Sequence, residues 1–211
     1  MSDSYSKIVL ASTGGSGTGY LLRYFYHIQD VPGETHWVAS ENFFTVLESE
    51  FPGEFSDITE ENIFQKINQK FGKKSSEVSK HVVKIFNVRD LKAPPSSGSV
   101  AYDSMVILPC SMKTLGSISS GVSANLIERA ADVSLKENRK CILVVRESPY
   151  NLIHINNMKT FVEAGGTILP ASPGFYQRPE SINDIYDFIV DRIFTNAGIN
   201  KRVITPWGSD E

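Results

Sequence analysis

Cysteine is almost missing from this chain: Cys110 and Cys141 are the only two, each inside an apolar run. A disulfide framework is therefore excluded, and two buried, reduced thiols are what a cytoplasmic protein would keep. Histidine is equally scarce. His27, His36, His81 and His154 lack the short paired spacings of a metal site, so no metal is expected. There is no basic run either. The 21 Lys and Arg against 24 Asp and Glu leave a net charge of −3, which argues against nucleic acid as a partner. No apolar stretch approaches the length of a membrane span. Met1 to Ser6 is polar and leads into a short apolar strand without the apolar core of a signal peptide. The expectation is a cytoplasmic protein with no membrane span.

What the chain does have is 211 residues at 41% hydrophobic content, enough for one α/β domain with a substantial core. Short apolar runs at Lys7–Ala11, Thr35–Ala39, His81–Phe86, Met105–Leu108, Cys141–Val145 and Thr167–Leu169 predict strands. Several are apolar throughout, as strands covered on both faces must be. Amphipathic stretches between them predict helices over Tyr20–Ile28, Asn42–Glu50, Glu61–Phe71, Asn125–Lys136, Leu152–Ala164 and Ser181–Asn196. In the last, Ser181 and Asp184 form a capping box, Ile182, Ile185, Ile189 and Ile193 give a core face, and Gly198 stops the helix. Alternating β and α predicts a single doubly wound parallel sheet, Rossmann-like or flavodoxin-like, with helices on both faces. No repeat or boundary interrupts it, so residues 1–211 read as one flavoprotein-sized domain. Two segments break the pattern. Arg89–Asp103, with Pro94-Pro95 and a Ser/Gly cluster, predicts an active-site loop over 89–103. Lys201–Glu211 carries an isolated Trp207 and predicts a docking tail over 201–211.

The first strand runs into Thr13–Gly19 (TGGSGTG) and then a helix. Glycines let the backbone aim its N–H groups at an anion, and the helix start adds partial positive charge. A triphosphate loop would need lysine after its last glycine, where Tyr20 stands. The dinucleotide fingerprint would need a third glycine three residues after Gly17, and Gly19 comes one residue early. A monophosphate such as that of FMN fits better than ATP or NAD. The fourth strand ends in Pro109–Thr114 (PCSMKT) and enters a helical region, with the hydroxyls of Ser111 and Thr114 at a strand's carboxyl end, where open α/β sheets bind ligands. The fifth ends in Arg146-Glu147. Three polar strand ends on one edge read as a ligand site.

These residues carry a resemblance. The stretches are Thr13-Gly-Gly-Ser-Gly17, Ala93-Pro-Pro-Ser-Ser-Gly98, Leu108-Pro-Cys-Ser-Met-Lys-Thr114 and Asn125-Leu-Ile-Glu-Arg-Ala-Ala-Asp-Val133. Leu135-Lys-Glu137, Arg146-Glu-Ser-Pro149, Pro170-Ala-Ser-Pro-Gly-Phe-Tyr176 and Arg178-Pro179 follow in order. From Thr13 to Trp207 the sequence resembles the flavin prenyltransferases, the UbiX-like family, whose members have also been labelled 3-octaprenyl-4-hydroxybenzoate carboxy-lyases. The resemblance implies transfer of a dimethylallyl group from dimethylallyl monophosphate to reduced FMN, across N5 and C6. The product, prenylated FMN, serves a separate decarboxylase, as in ubiquinone biosynthesis. It also implies a homo-oligomer, a dodecamer, with sites at subunit junctions.

Carried over by position, Gly14, Gly15, Ser16, Ser40, Ser111, Met112, Lys113, Thr114 and Arg146 match the flavin-binding set. Tyr176 and Arg192 match the donor-phosphate residues, with Glu50, Arg129 and Lys136 around that phosphate and Trp207 near the prenyl group. Glu147 matches a proton-transfer carboxylate, and Ser16 and Lys136 stand with it at the chemistry. Some relatives have Trp where this chain has Leu91. The residue types suit the reaction, since ionising an allylic phosphate needs fixed cations for the leaving group and π faces for the cation. Three rival readings stay open at this stage: a flavin-dependent cysteine decarboxylase, for which His27 and His36 are candidate catalytic residues, a direct carboxy-lyase, and a non-catalytic FMN electron carrier.

Overall fold

The computed structural model describes residues 5–73 and 79–206. Six strands, β1 (Ser6–Ser12), β2 (Gly33–Ala39), β3 (His81–Phe86), β4 (Ser104–Cys110), β5 (Lys140–Val145) and β6 (Thr167–Pro170), pair in parallel in the order β3-β2-β1-β4-β5-β6. The central strands carry continuous apolar runs because both faces are covered: β4 is buried at every position, whereas edge strand β3 alternates buried and exposed over its first four residues. Successive residues of β1 feed opposite cores, Ile8 and Leu10 one, Val9 and Ala11 the other. The first core packs under α1 (Thr18–Ile28), α2 (Glu41–Glu50), α3 (Ile63–Phe71) and α7 (Ile182–Ala197). The second packs under α4 (Met112–Ser119), α5 (Leu126–Lys136) and α6 (Leu152–Glu163). The doubly wound parallel sheet with helices on both faces is therefore observed.

The capping box of α7 is present, with Ser181 N–H donating to Asp184, and Gly198 ends the helix at φ 80°. Its core face is shifted from the predicted one. Ile182 is 58% exposed and Ile185 half-buried, while Ile189, Val190, Ile193 and Phe194 are buried. Tyr186 packs against Tyr20 in the first turn of α1, so Ile182 lies about one turn, roughly 5 Å, beyond the start of that neighbour. Cys110 and Cys141 are free and buried. Burial pushes both thiols up, Cys141 to about 12, which leaves them unreactive.

Segment 89–103 runs as a strap, and at its start Arg89 pairs with Glu41 in the first turn of α2 at 2.6 Å. Leaving β3, it passes a 3-10 turn at Pro94–Ser96 and ends where Lys7 N–H donates to Asp103 at 2.7 Å, beside the start of β1. Arg129 on α5 donates to Ser96 O at 3.3 Å, and Arg139 just beyond that helix to Gly98 O at 2.6 Å, which fixes the strap along α5. Among the described residues no helix is long and apolar enough to cross a membrane. The tail turns back onto α7 through residues 201–206, and Trp207 lies outside the described residues.

Candidate functional site at the carboxyl edge of the sheet

Strand order reverses between β1 and β4, the place where doubly wound sheets open a crevice outside their strand ends. Three ties close the floor of this crevice. Thr13 N–H and hydroxyl both donate to Pro109 O at 3.0 Å, Ser111 N–H donates to the Thr13 hydroxyl at 2.8 Å, and Ser40 N–H donates to Ser12 O at 2.9 Å. The turn Gly14-Gly15-Ser16 lies on top. A Cβ on Gly14 would sit 2.8 Å from that of Asn42, so the turn touches the start of α2 directly. Gly17 has φ 102°, a conformation that favours glycine.

Three helices begin here, and their starts differ. At α1, Glu50 from the end of α2 accepts from Gly17 N–H at 2.8 Å, from Thr18 N–H at 2.7 Å and from the Thr18 hydroxyl at 2.6 Å. Burial pushes the Glu50 carboxyl up, but hydrogen bonds from Thr18, Gly17 and Ser16 outweigh it and hold the group below its usual 4.5. The turn read from the sequence as a phosphate cradle thus already holds an anion. A helix start favours negative charge, and the fold supplies its own. The starts of α2 and α4 are capped by Ser40, which accepts from Phe43 N–H at 3.2 Å, and Ser111, which accepts from Thr114 N–H at 3.3 Å. Immediately after those caps, the N–H groups of Glu41, Asn42, Met112 and Lys113 have no acceptor among the described residues. Lys113 is exposed and Met112 buried.

Arg146 closes a third side, donating from Nε to Ser16 O at 3.2 Å. Glu147 is half-buried and accepts from Ser148 N–H at 3.1 Å. Tyr20 and Tyr186, which no sequence pattern singled out, meet edge to face at 5.0 Å beside the turn. Both phenols are pushed up by burial, Tyr20 further by Tyr186, and Tyr186 further by the nearby Glu50 charge. The candidate histidines of the rival reading are elsewhere. His27 pairs with Asp187 at 2.9 Å in the last turn of α1, and His36 is buried against Glu34 and Tyr102.

The charged residues assigned to the donor phosphate separate into two groups. Tyr176 is 54% exposed and stands edge-on to Phe188 at 5.8 Å. Arg192 lies one turn along α7 from Phe188, so the ring and the exposed guanidinium share one face of that helix. Arg129 and Lys136 are on the opposite face of the sheet. Arg129 is tied to Ser96 O and Asp132, and Lys136 pairs with Glu137 beside Gly98. Lys136 ends α5 just before β5 begins, which puts it about 20 Å, the length of a six-residue strand, from the carboxyl edge. One chain does not bring these two groups together.

The family model described as Flavoprotein matches residues 1–194. A flavin prenyltransferase UbiX of Pseudomonas aeruginosa is 40% identical over 202 residues, covering 96% of this chain and 94% of that protein. Among solved structures, AnUbiX in complex with FMN and dimethylallyl pyrophosphate superposes with TM-score 0.81 at 32% identity, over 99% of this chain and 100% of that one. A dodecameric FMN-dependent UbiX-like decarboxylase from Escherichia coli superposes with TM-score 0.80 at 32% identity, over 95% and 98% of the two chains. This chain belongs to the flavin prenyltransferase family.

Proposed function

We propose that this chain transfers a dimethylallyl group from dimethylallyl monophosphate to reduced FMN, at N5 and C6, making prenylated FMN for a partner decarboxylase, as in ubiquinone biosynthesis. The observation that carries the reading is the division of labour among helix starts. Open N–H groups and hydroxyls at α2 and α4 offer a monophosphate site, while Glu50 keeps phosphate off α1. In this reading Ser40, Ser111, Met112, Lys113 and Thr114 hold the FMN phosphate. Gly14, Gly15, Ser16 and Arg146 line the ring between the ends of β1 and β4. Reduced flavin supplies the nucleophilic positions. Tyr176 and Arg192 hold the donor phosphate with Glu50 nearby, and Glu147 takes the proton that ring closure releases.

Arg129 and Lys136 reach a donor site only if another copy presents them, so the working unit is a homo-oligomer, a dodecamer as in the Escherichia coli relative. A surface suited to such packing exists on α6, where Leu152, Ile153, Ile155 and Val162 are all more than half exposed. The chain's two buried, unreactive thiols and balanced charge fit a single cytoplasmic domain over residues 1–211. Anaerobic incubation with reduced FMN and dimethylallyl phosphate, followed by mass spectrometry, should give flavin enlarged by one C5 unit. Unchanged flavin would sink the reading.

A further inference from the structure

We propose that Asp191 is a positioning residue for the donor. Its buried carboxylate latches the segment after α7, and that segment in turn holds the loop carrying Tyr176. The inference rests on the reading of Tyr176 and Arg192 as donor residues. Asp191 neighbours Arg192 in sequence but points inward and is 1% exposed. It accepts from Arg202 Nε at 3.0 Å, from a second Arg202 nitrogen at 2.9 Å and from Val203 N–H at 2.9 Å. A carboxylate at that depth is tolerated only with such partners. None of them serves the helix itself. Gly198 already finishes α7, with Ile199 N–H donating to Phe194 O at 2.9 Å. The bonds to Asp191 fix the tail alone.

From there the connection runs to the donor side. Val203 packs on the core beneath α7, and two residues later Thr205 O accepts from the Gln177 side chain at 2.9 Å. Gln177 follows Tyr176 and precedes Arg178, whose φ of 52° is a left-handed conformation that a non-glycine residue keeps only where its surroundings hold it. Within the same loop, a Cβ on Gly174 would lie 2.6 Å from the Tyr176 ring and 3.1 Å from Phe188, so the ring is folded back tightly onto α7. The loop is thus held at two points, by ring packing on α7 and by a tail that Asp191 anchors.

The test compares Asp191→Asn, Arg202→Ala, Arg202→Lys and Gln177→Ala with wild type and with Arg192→Ala. Donor KM and kcat are measured at saturating reduced FMN, along with FMN affinity and hydrogen exchange at Val203 and Ile204. Arg202 is exposed enough for its variants to fold even where Asp191→Asn does not. Expected is faster exchange at both amides in Asp191→Asn and Arg202→Ala, and a rise of about three- to thirtyfold in donor KM for these and Gln177→Ala. Arg202→Lys should recover part of it, with FMN affinity unchanged throughout. Unchanged donor KM in the latch variants overturns the proposal whatever Arg192→Ala does, and leaves Asp191 a determinant of stability only. Unchanged KM in Arg192→Ala instead counts against the donor-site reading itself.

Discussion

Where β1, β2 and β4 end, the chain ties each strand end to its neighbour, and the groups proposed to face ligand are backbone N–H at helix starts. Around Tyr176 and Arg192 the groups are long or aromatic side chains on exposed surface, and the cations assigned beside them, Arg129 and Lys136, lie on the opposite face of the sheet. The difference follows from how each site is made. A helix start is delivered to the carboxyl edge by the same strand that precedes it, so one chain completes a backbone site by folding. A cluster of charged side chains carries no such local guarantee, and needs a tail, a loop or a second copy to assemble it.

The largest expected effect falls between the two regions. Glu147→Gln should slow prenylation by about 10²–10⁴-fold while leaving FMN affinity near normal, as for a lost general base. Full activity would move proton transfer to another group. Next, Leu152→Asp with Ile153→Asp on α6 should disperse the oligomer on light scattering. FMN binding should survive, but turnover should fall by about 10²–10³-fold if cations from a second copy stabilise the leaving group. An active monomer would erase the contrast between a finished and an unfinished region.

Arg192→Ala should raise the donor concentration needed by about ten- to hundredfold, for a charge-assisted contact of roughly 1.5–3 kcal/mol. Arg192→Lys should recover only part, because the ammonium lacks the two-pronged geometry. Ser111→Ala should weaken FMN by about five- to tenfold through loss of one hydroxyl and its cap, and leave donor KM alone. A change in donor KM there would blur the border between the regions. The smallest effect is thermal. Because Glu50 is held below 4.5 in the folded protein, its stabilisation is present above that pH and fades as pH falls through the depressed value. Glu50→Gln should therefore flatten the acid limb of a melting-temperature profile, and an identical limb would place the titrating group elsewhere.

Much of the architecture was legible because local chemistry encodes it. The apolar run His81–Phe86 is β3 to the residue, and Ser181, Asp184 and Gly198 mark both ends of α7. Helix α4 was read only as a helical region after Ser111, since eight residues with Gly116 inside give a weak periodic signal. The carboxyl-edge site was readable as polar residues at strand ends. That Glu50 would occupy the α1 start was not, because its partners lie 32 and 33 residues away and no local pattern records which carboxylate will arrive.

By itself the sequence determined the alternation of strands and helices, the edge where the candidate site's polar residues gather, and a family identity carried by ordered motifs. These follow from hydrophobic period, capping residues and the rule that helix starts gather at strand carboxyl ends. Only the tertiary structure decided which helix start is already filled, that segment 89–103 runs as a strap along α5, and that Lys136 lies on the opposite face of the sheet from Arg192. Those outcomes depend on contacts between residues far apart in the chain, whose distances are set by how the two helical layers pack onto one sheet.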